Sequence, residues 1–268
     1  MQLTRRVALN GQQLDAVDSR IVISSVEPQD GRENITAADT AAGFGQRITG
    51  RRRSTLDIIV KFRILEKGHS VRGLQERESV LEAVNGWAYP GGWLTLGYKP
   101  GRQICVIPVQ LPGEGDLRDY TKEFQITFRA YGVPYWQQDE PNTLRVQSVS
   151  SLSRNFGAAG NQDSVADVVF TNTSGNTINT FSITIGPSSM SFTSLGLAAG
   201  EALEIDHTDD GKSSTLRIRI KSTAGVYRSA MAKRTGSDDL VVNPGTNAVT
   251  MSAARVGTLL IRCAGRFA

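Results

Sequence analysis

Residues 56–65 read LDIIVKFRIL, and their alternation decides the fold class. Leu56, Ile58, Val60, Phe62 and Ile64 fall on one side of an extended chain, with Asp57, Lys61 and Arg63 on the other. That period of two belongs to a long strand with one buried face. EFQITFRA at 123–130 repeats it, with Phe124, Ile126, Phe128 and Ala130 alternating with Glu123, Gln125, Thr127 and Arg129. Shorter strands are expected over 3–9, ending at the turn pair Asn10-Gly11, and over 20–26. WLTLGY at 93–98 and RQICVIPV at 102–109 flank Lys99-Pro100-Gly101. Pro sets the first turn angle there and Gly supplies a positive φ, so the pair reads as a hairpin. One helix is expected over 71–85, with an apolar stripe of Leu74, Leu81 and Val84 beside Val71 and Val80. Ser70 is its candidate N-cap and Gly86 its stop, after which Trp87 folds back onto the stripe.

Outward from these elements the texture changes. Trp87, Trp93 and Trp136 all precede residue 137, and a polar stretch interrupted by Pro follows the last of them. Beyond residue 141 only strands are expected, over 143–149, 165–171, 180–185, 202–206, 215–221, 240–242, 248–251 and 258–263. Thr173-Ser174-Gly175-Asn176, Asp209-Asp210-Gly211 and Asn243-Pro244-Gly245 punctuate them. The expectation is a mainly β chain: a first domain over 1–137 with one helix, a linker over 138–142, and a β-sandwich over 143–268.

The 268 residues, 39% hydrophobic and 21% charged, suffice for a real core. No apolar stretch reaches the roughly 18 residues of a membrane helix, so no membrane insertion is expected. MQLTRRVALN lacks the apolar centre of a signal peptide, which points to synthesis in a cytoplasm. Cys105 and Cys263 are single and distant, and read as buried, inert thiols. Net charge is +4, from 30 basic and 26 acidic residues. Residues 1–140 hold 18 and 17 of them and residues 141–268 hold 12 and 9, so neither part is a concentrated basic surface for nucleic acid.

Catalytic chemistry is not assembled anywhere. His69 and His207 lie in different expected domains, without a third His or an H-E-x-x-H helix, and read as solvent-facing turn residues. Gly211-Lys212-Ser213 resembles the end of a phosphate loop, but Asp206 stands where that loop needs Gly. Gly43-Phe44-Gly45-Gln46-Arg47-Ile48 lacks the third glycine of a dinucleotide fingerprint. No G-x-S-x-G elbow occurs. Glu204 and Asp206, two apart on one strand beside Glu201, read as a solvated face. The expectation is a protein without catalytic residues, cofactor or metal.

Residues 27–53, EPQDGRENITAADTAAGFGQRITGRRR, join two of the expected strands with little apolar content. A connection this long is read as an arm ordered by a neighbouring molecule. Its Arg51-Arg52-Arg53 run suits an acidic partner surface, the alternatives being a soluble edge to the strand from Leu56 and, without interleaved aromatics, nucleic-acid phosphates.

The order of these features resembles the distal tail protein family of long-tailed, non-contractile bacteriophages. The resemblance rests on a short strand ending in Leu9-Asn10-Gly11, RIVISSVEP, the Gly/Arg-rich connection, LDIIVKFRIL, the helix RGLQERESVLEAVNGW, the hairpin GGWLTLGYKPGRQICV, and EFQITFRAYGVPYWQ. Tyr131, Pro134, Tyr135 and Trp136 match the aromatic and Pro cluster that closes the family's first domain. LGLAAGEALEID at 195–206, NPGTNAV at 243–249 and the strand 259–267 match a second, galectin-like or carbohydrate-module-like sandwich.

The resemblance implies a first domain of β-sandwich or split-barrel type that forms a hexameric ring at the virion tail tip. Such a ring joins the tail-tube protein to the tail-tip hub protein, with receptor-binding proteins or host glycans at the periphery and viral DNA passing through the lumen without specific binding. Within that reading Phe44, Arg47, Arg51, Arg52 and Arg53 are the candidate interface residues, laid across the neighbouring subunit. A carbohydrate-binding module for host-surface recognition and a tail-tube protein are the alternatives.

Overall fold

The computed structural model describes residues 6–29, 33–39, 46–65, 71–113, 123–210 and 212–268. The chain divides into two compact units, Met1–Tyr135 with Asp209–Ser214, and Trp136–Thr208 with Thr215–Ala268. Among the described residues it is mainly β with one α-helix, and residues 56–64 form the long strand that their alternation predicts.

Unit 1 is built on β1 (Val7–Leu9), β2 (Gln12–Gln13), β3 (Ile21–Gln29), β4 (Glu33–Asp39), β5 (Gln46–Arg53), β6 (Leu56–Ile64), α1 (Val71–Ala88), β7 (Gly92–Leu96), β8 (Arg102–Gln110) and β9 (Phe124–Ala130). One sheet runs in the order β2-β1-β7-β8-β9-β6-β3, with every neighbouring pair antiparallel. The alternating residues of β6 and β9 pack as their spacing demands. Leu56, Ile58, Val60, Phe62, Phe124, Ile126, Phe128 and Ala130 are all buried. The Phe62 and Phe124 rings stack at 5.5 Å.

Asn10 and Gly11 both take positive φ, 51° and 83°, which is the twist a two-residue hairpin needs. Gly101, at φ 72°, closes the turn between β7 and β8 as Lys99-Pro100-Gly101 requires. Helix α1 buries Val80, Leu81, Val84, Trp87 and Ala88. It runs one turn past the expected end, because Trp87 reaches its site while still helical. The indole meets Phe128 edge-on at 6.1 Å and donates from Nε1 to the Gln12 carbonyl at 3.0 Å. Gly86 is therefore not the stop, and the chain turns away at Gly91, φ 65°. A Cβ on Gly91 would lie 2.5 Å from the Val106 carbonyl oxygen.

Unit 2 holds β10 (Trp136–Gln138), β11 (Asn142–Ala158), β12 (Ser164–Asn172), β13 (Phe181–Ile185), β14 (Ser188–Phe192), β15 (Ala202–Asp209), β16 (Ser214–Lys221), β17 (Tyr227–Ser229), β18 (Arg234–Gly236), β19 (Val241–Val242), β20 (Gly245–Cys263) and β21 (Arg266–Phe267). The ten-stranded sheet has the order β17-β16-β15-β12-β20-β13-β14-β18, with β11 on β20 and β19 on β12.

The two expected strands at 248–251 and 258–263 are a single 19-residue strand, β20. Its first half pairs with β13 and its second half with β12, while β11 follows it along both, with register shifts between Val146 and Ser151. This ribbon doubles back. The Asn142 side chain donates to the Gly157 carbonyl at 2.9 Å, which joins the two ends of a 17-residue strand. Gly257 stands where β20 turns beside β12, and a Cβ there would meet the Phe170 ring at 2.4 Å. One continuous sheet thus closes over one core, which includes Val168, Phe170, Phe181, Ile183, Phe192, Leu203, Ile205, Met251 and Leu259.

Candidate functional site

The segment read as an arm contains two strands, β4 and β5. β3 pairs with β6 out to Gln29 opposite Asp57. β4 and β5 then pair with Glu33 opposite Arg53, Asn34 opposite Arg52 and Ile35 opposite Arg51. From Ser25 on β3 to Thr36 on β4 the two ladders keep one register, so each paired step outward along β3 and β4 is matched by one step back along β5 and β6. The arm is an outward extension of the β3–β6 hairpin. A register shift between Thr36 and Ala37 then offsets its outer end, where Ala38 faces Arg47 and Asp39 faces Gln46.

Among the described residues, β4 and β5 form a sheet of two strands and no more. A two-stranded ribbon is marginal in water, because it has no second layer to bury its side chains against. Residues 34–38 are all exposed, including Ile35 at 56%. The outer edge of each strand offers backbone donors and acceptors without a ladder partner among the described residues. In sequence the ribbon carries Arg47, Arg51, Arg52 and Arg53 on one strand against Glu33 and Asp39 on the other. The fold thus brings four of the five candidate interface residues onto β5, while Phe44 lies outside the described residues. The strand character of 33–39 escaped the sequence reading because only Ile35 and Ile48 are large apolar residues in the pair.

The polar residues of unit 2 depart from expectation. Glu204 and Asp206 are not a solvated face. Arg217 donates from Nε and Nη2 to the two Asp206 oxygens at 3.0 Å each. Arg219 donates to Glu204 at 3.1 Å and to Asp206 at 3.0 Å, and lies over the Tyr227 ring at 4.1 Å. Carboxylates two apart on β15 hold arginines two apart on β16, so the period of two recurs as charge pairing. Glu201 is buried, where Arg228 grips both of its oxygens at 2.5 and 2.6 Å and the Ala198 N–H donates at 2.8 Å.

His207 also departs from its expected place. It lies within β15, its side chain is 12% exposed, and its ring stands between Asp167 and Asp239. His69 lies outside the described residues. Both cysteines are buried. Burial, with Asp209 and Asp210 nearby, pushes the Cys105 thiol up to about 12, and burial takes Cys263 to about 11. Among the described residues no cluster of His, Cys, Asp and Glu could hold a metal ion, and no helix is long and apolar enough to cross a membrane.

No family model and no curated protein matches the sequence. The architecture finds its counterpart among solved structures. The SPP1 Dit protein, described as a paradigm of the hub adsorption apparatus in phages infecting Gram-positive bacteria, superposes with a TM-score of 0.65 over 98% of this chain and 99% of its own. The chain has the Dit fold. Identity is 12%, so it is the backbone path that is shared. A chain from the phage P2 baseplate in its Ca-activated conformation matches at a TM-score of 0.51 and 6% identity, over 97% of each chain. The Dit fold covers both units, and the expected likeness to distal tail proteins is met at the level of architecture.

Proposed function

We propose that this protein is a structural hub of a phage tail tip, a ring of identical copies between the tail-tube protein and the tail-tip hub protein. Likeness to the SPP1 Dit protein along 98% of the chain carries this reading, because it includes both units and the segment between them. The first unit supplies the ring contact, and the second serves the peripheral host-binding parts. The site residues agree with an assembly role. Their chemistry is ion pairing and open strand edges.

In the proposed ring, β4–β5 lies on the adjacent copy, where its open edges gain backbone partners and Arg47 and Arg51–Arg53 meet carboxylates. The contact is heterologous, with an arm on one side and a receiving surface on the other, and such contacts close into rings when the rotation between copies divides the circle. Deletion of residues 32–50 tests it, with native mass spectrometry and negative-stain images of the purified protein. The expected result is a six-fold ring for the intact chain and a monomer for the deletion. An unchanged hexamer after deletion would remove the arm from the interface, and a monomeric intact chain would remove the ring.

A further inference from the structure

His207 sits where three parts of unit 2 converge. Its strand, β15, pairs with β12, which carries Asp167. The segment Ser237–Leu240, which leads from β18 to β19, brings Asp239 to the opposite edge of the ring. Nδ1 lies 3.5 Å from Asp167 Oδ1 and Nε2 lies 3.0 Å from Asp239 Oδ1. Asp167 Oδ1 also accepts the His207 backbone N–H at 3.1 Å.

A neutral imidazole has one N–H and one lone pair. Flanked by two carboxylates, it can donate to one of them only, and its bare nitrogen then faces the other lone pair to lone pair. The imidazolium donates to both. The arrangement is therefore complete in one protonation state. Three other charged groups border these strands and the crossover. Asp206 is held by Arg217 and Arg219, Arg262 is the cross-strand neighbour of Asp167 on β20, and Arg234 binds Asp238.

The two carboxylates are not equally fixed. Asp167 is set in the middle of a paired strand. Asp239, 45% exposed, lies between two anchors. Before it, Arg234 donates to the Ser237 and Asp238 carbonyls at 2.8 Å each. After it, the Leu240 carbonyl accepts from the Ala166 N–H at 2.9 Å and Val241 donates to Ser188 at 3.0 Å. Asp239 to His207 is the tie between those anchors.

We propose that His207 is a pH-operated clasp for the crossover Ser237–Leu240, closed while both ring nitrogens carry protons and released at Asp239 when one proton leaves. Burial lowers the histidine's affinity for its proton, but Asp167 and Asp239 outweigh it and the net direction is upward. A proton bound more tightly in the folded chain stabilises it fully below the unfolded value of about 6.5, and that contribution is lost as pH rises through the folded value. The clasp thus holds fully below about 6.5 and opens as pH rises through the folded value.

The test uses the full-length protein with ¹³C-labelled histidine, His69→Gln serving to assign the His207 signal. His207 is expected to titrate above about 6.5, and Asp239→Asn to bring its midpoint down by about 0.5–1 unit. Protection of the Asp239–Val242 amides, corrected for intrinsic exchange, is expected to fall by at least about fivefold across that midpoint, a local opening. His207→Gln should flatten the profile. A midpoint at or below 6.5, a midpoint unmoved by Asp239→Asn, or the same protection profile in His207→Gln would overturn the clasp.

Discussion

Glu201 shows what one residue contributes and why its role was invisible beforehand. Arg228, the stronger influence, holds its carboxyl below the ordinary range while burial works the other way. A carboxylate with a lowered folded value contributes stability above its unfolded value and loses it as pH falls through the folded one. Glu201→Gln is therefore expected to cost about 1–2 kcal/mol at pH 7, a figure reduced for the 44% exposure of Arg228. Urea denaturation should show the gap between parent and variant narrowing once pH drops below about 4. In the sequence Glu201 is one acid in LAAGEALEID, and its partner lies 27 residues away. Local spacing names pairs on one strand or one helix face. It cannot name a guanidinium that the β16–β17 turn delivers.

Among the elements, β6 was the most legible, because every second residue of it is apolar and the pleat sends them all one way. Phe62 is fully buried against Phe124, so Phe62→Ala is expected to cost about 3–5 kcal/mol, seen as a lower denaturation midpoint and a tendency to aggregate. The extent of β11 and β20 was not legible. Residues 253–256, AARV, interrupt the alternation of β20, and the register shifts of β11 fall among serines. Their continuity comes from the ladder between them, which is long-range information. The arm was legible as a segment without a core of its own. Its strand character was hidden, since Ile35 and Ile48 alone cannot show an alternation of apolar and polar residues.

For the whole molecule, assembly is where charge should tell. The four arginines of β5 against the two carboxylates of β4 leave the arm net positive. Association through it is expected to weaken as salt rises, because exposed charges are screened beyond about 8 Å at 0.15 M ionic strength. Sedimentation velocity between 0.05 and 0.5 M NaCl, roughly a threefold change in screening length, should show the proposed ring giving way to smaller species. A salt-independent distribution would assign the contact to apolar surface instead.

Of the ten strands that close around the second core, β20 is made last, and both halves of that layer are stitched through it. The sheet can therefore be complete only once that last strand has been made. A chain that stops before Gly245 leaves β12 and β13 without the strand that both of them pair with.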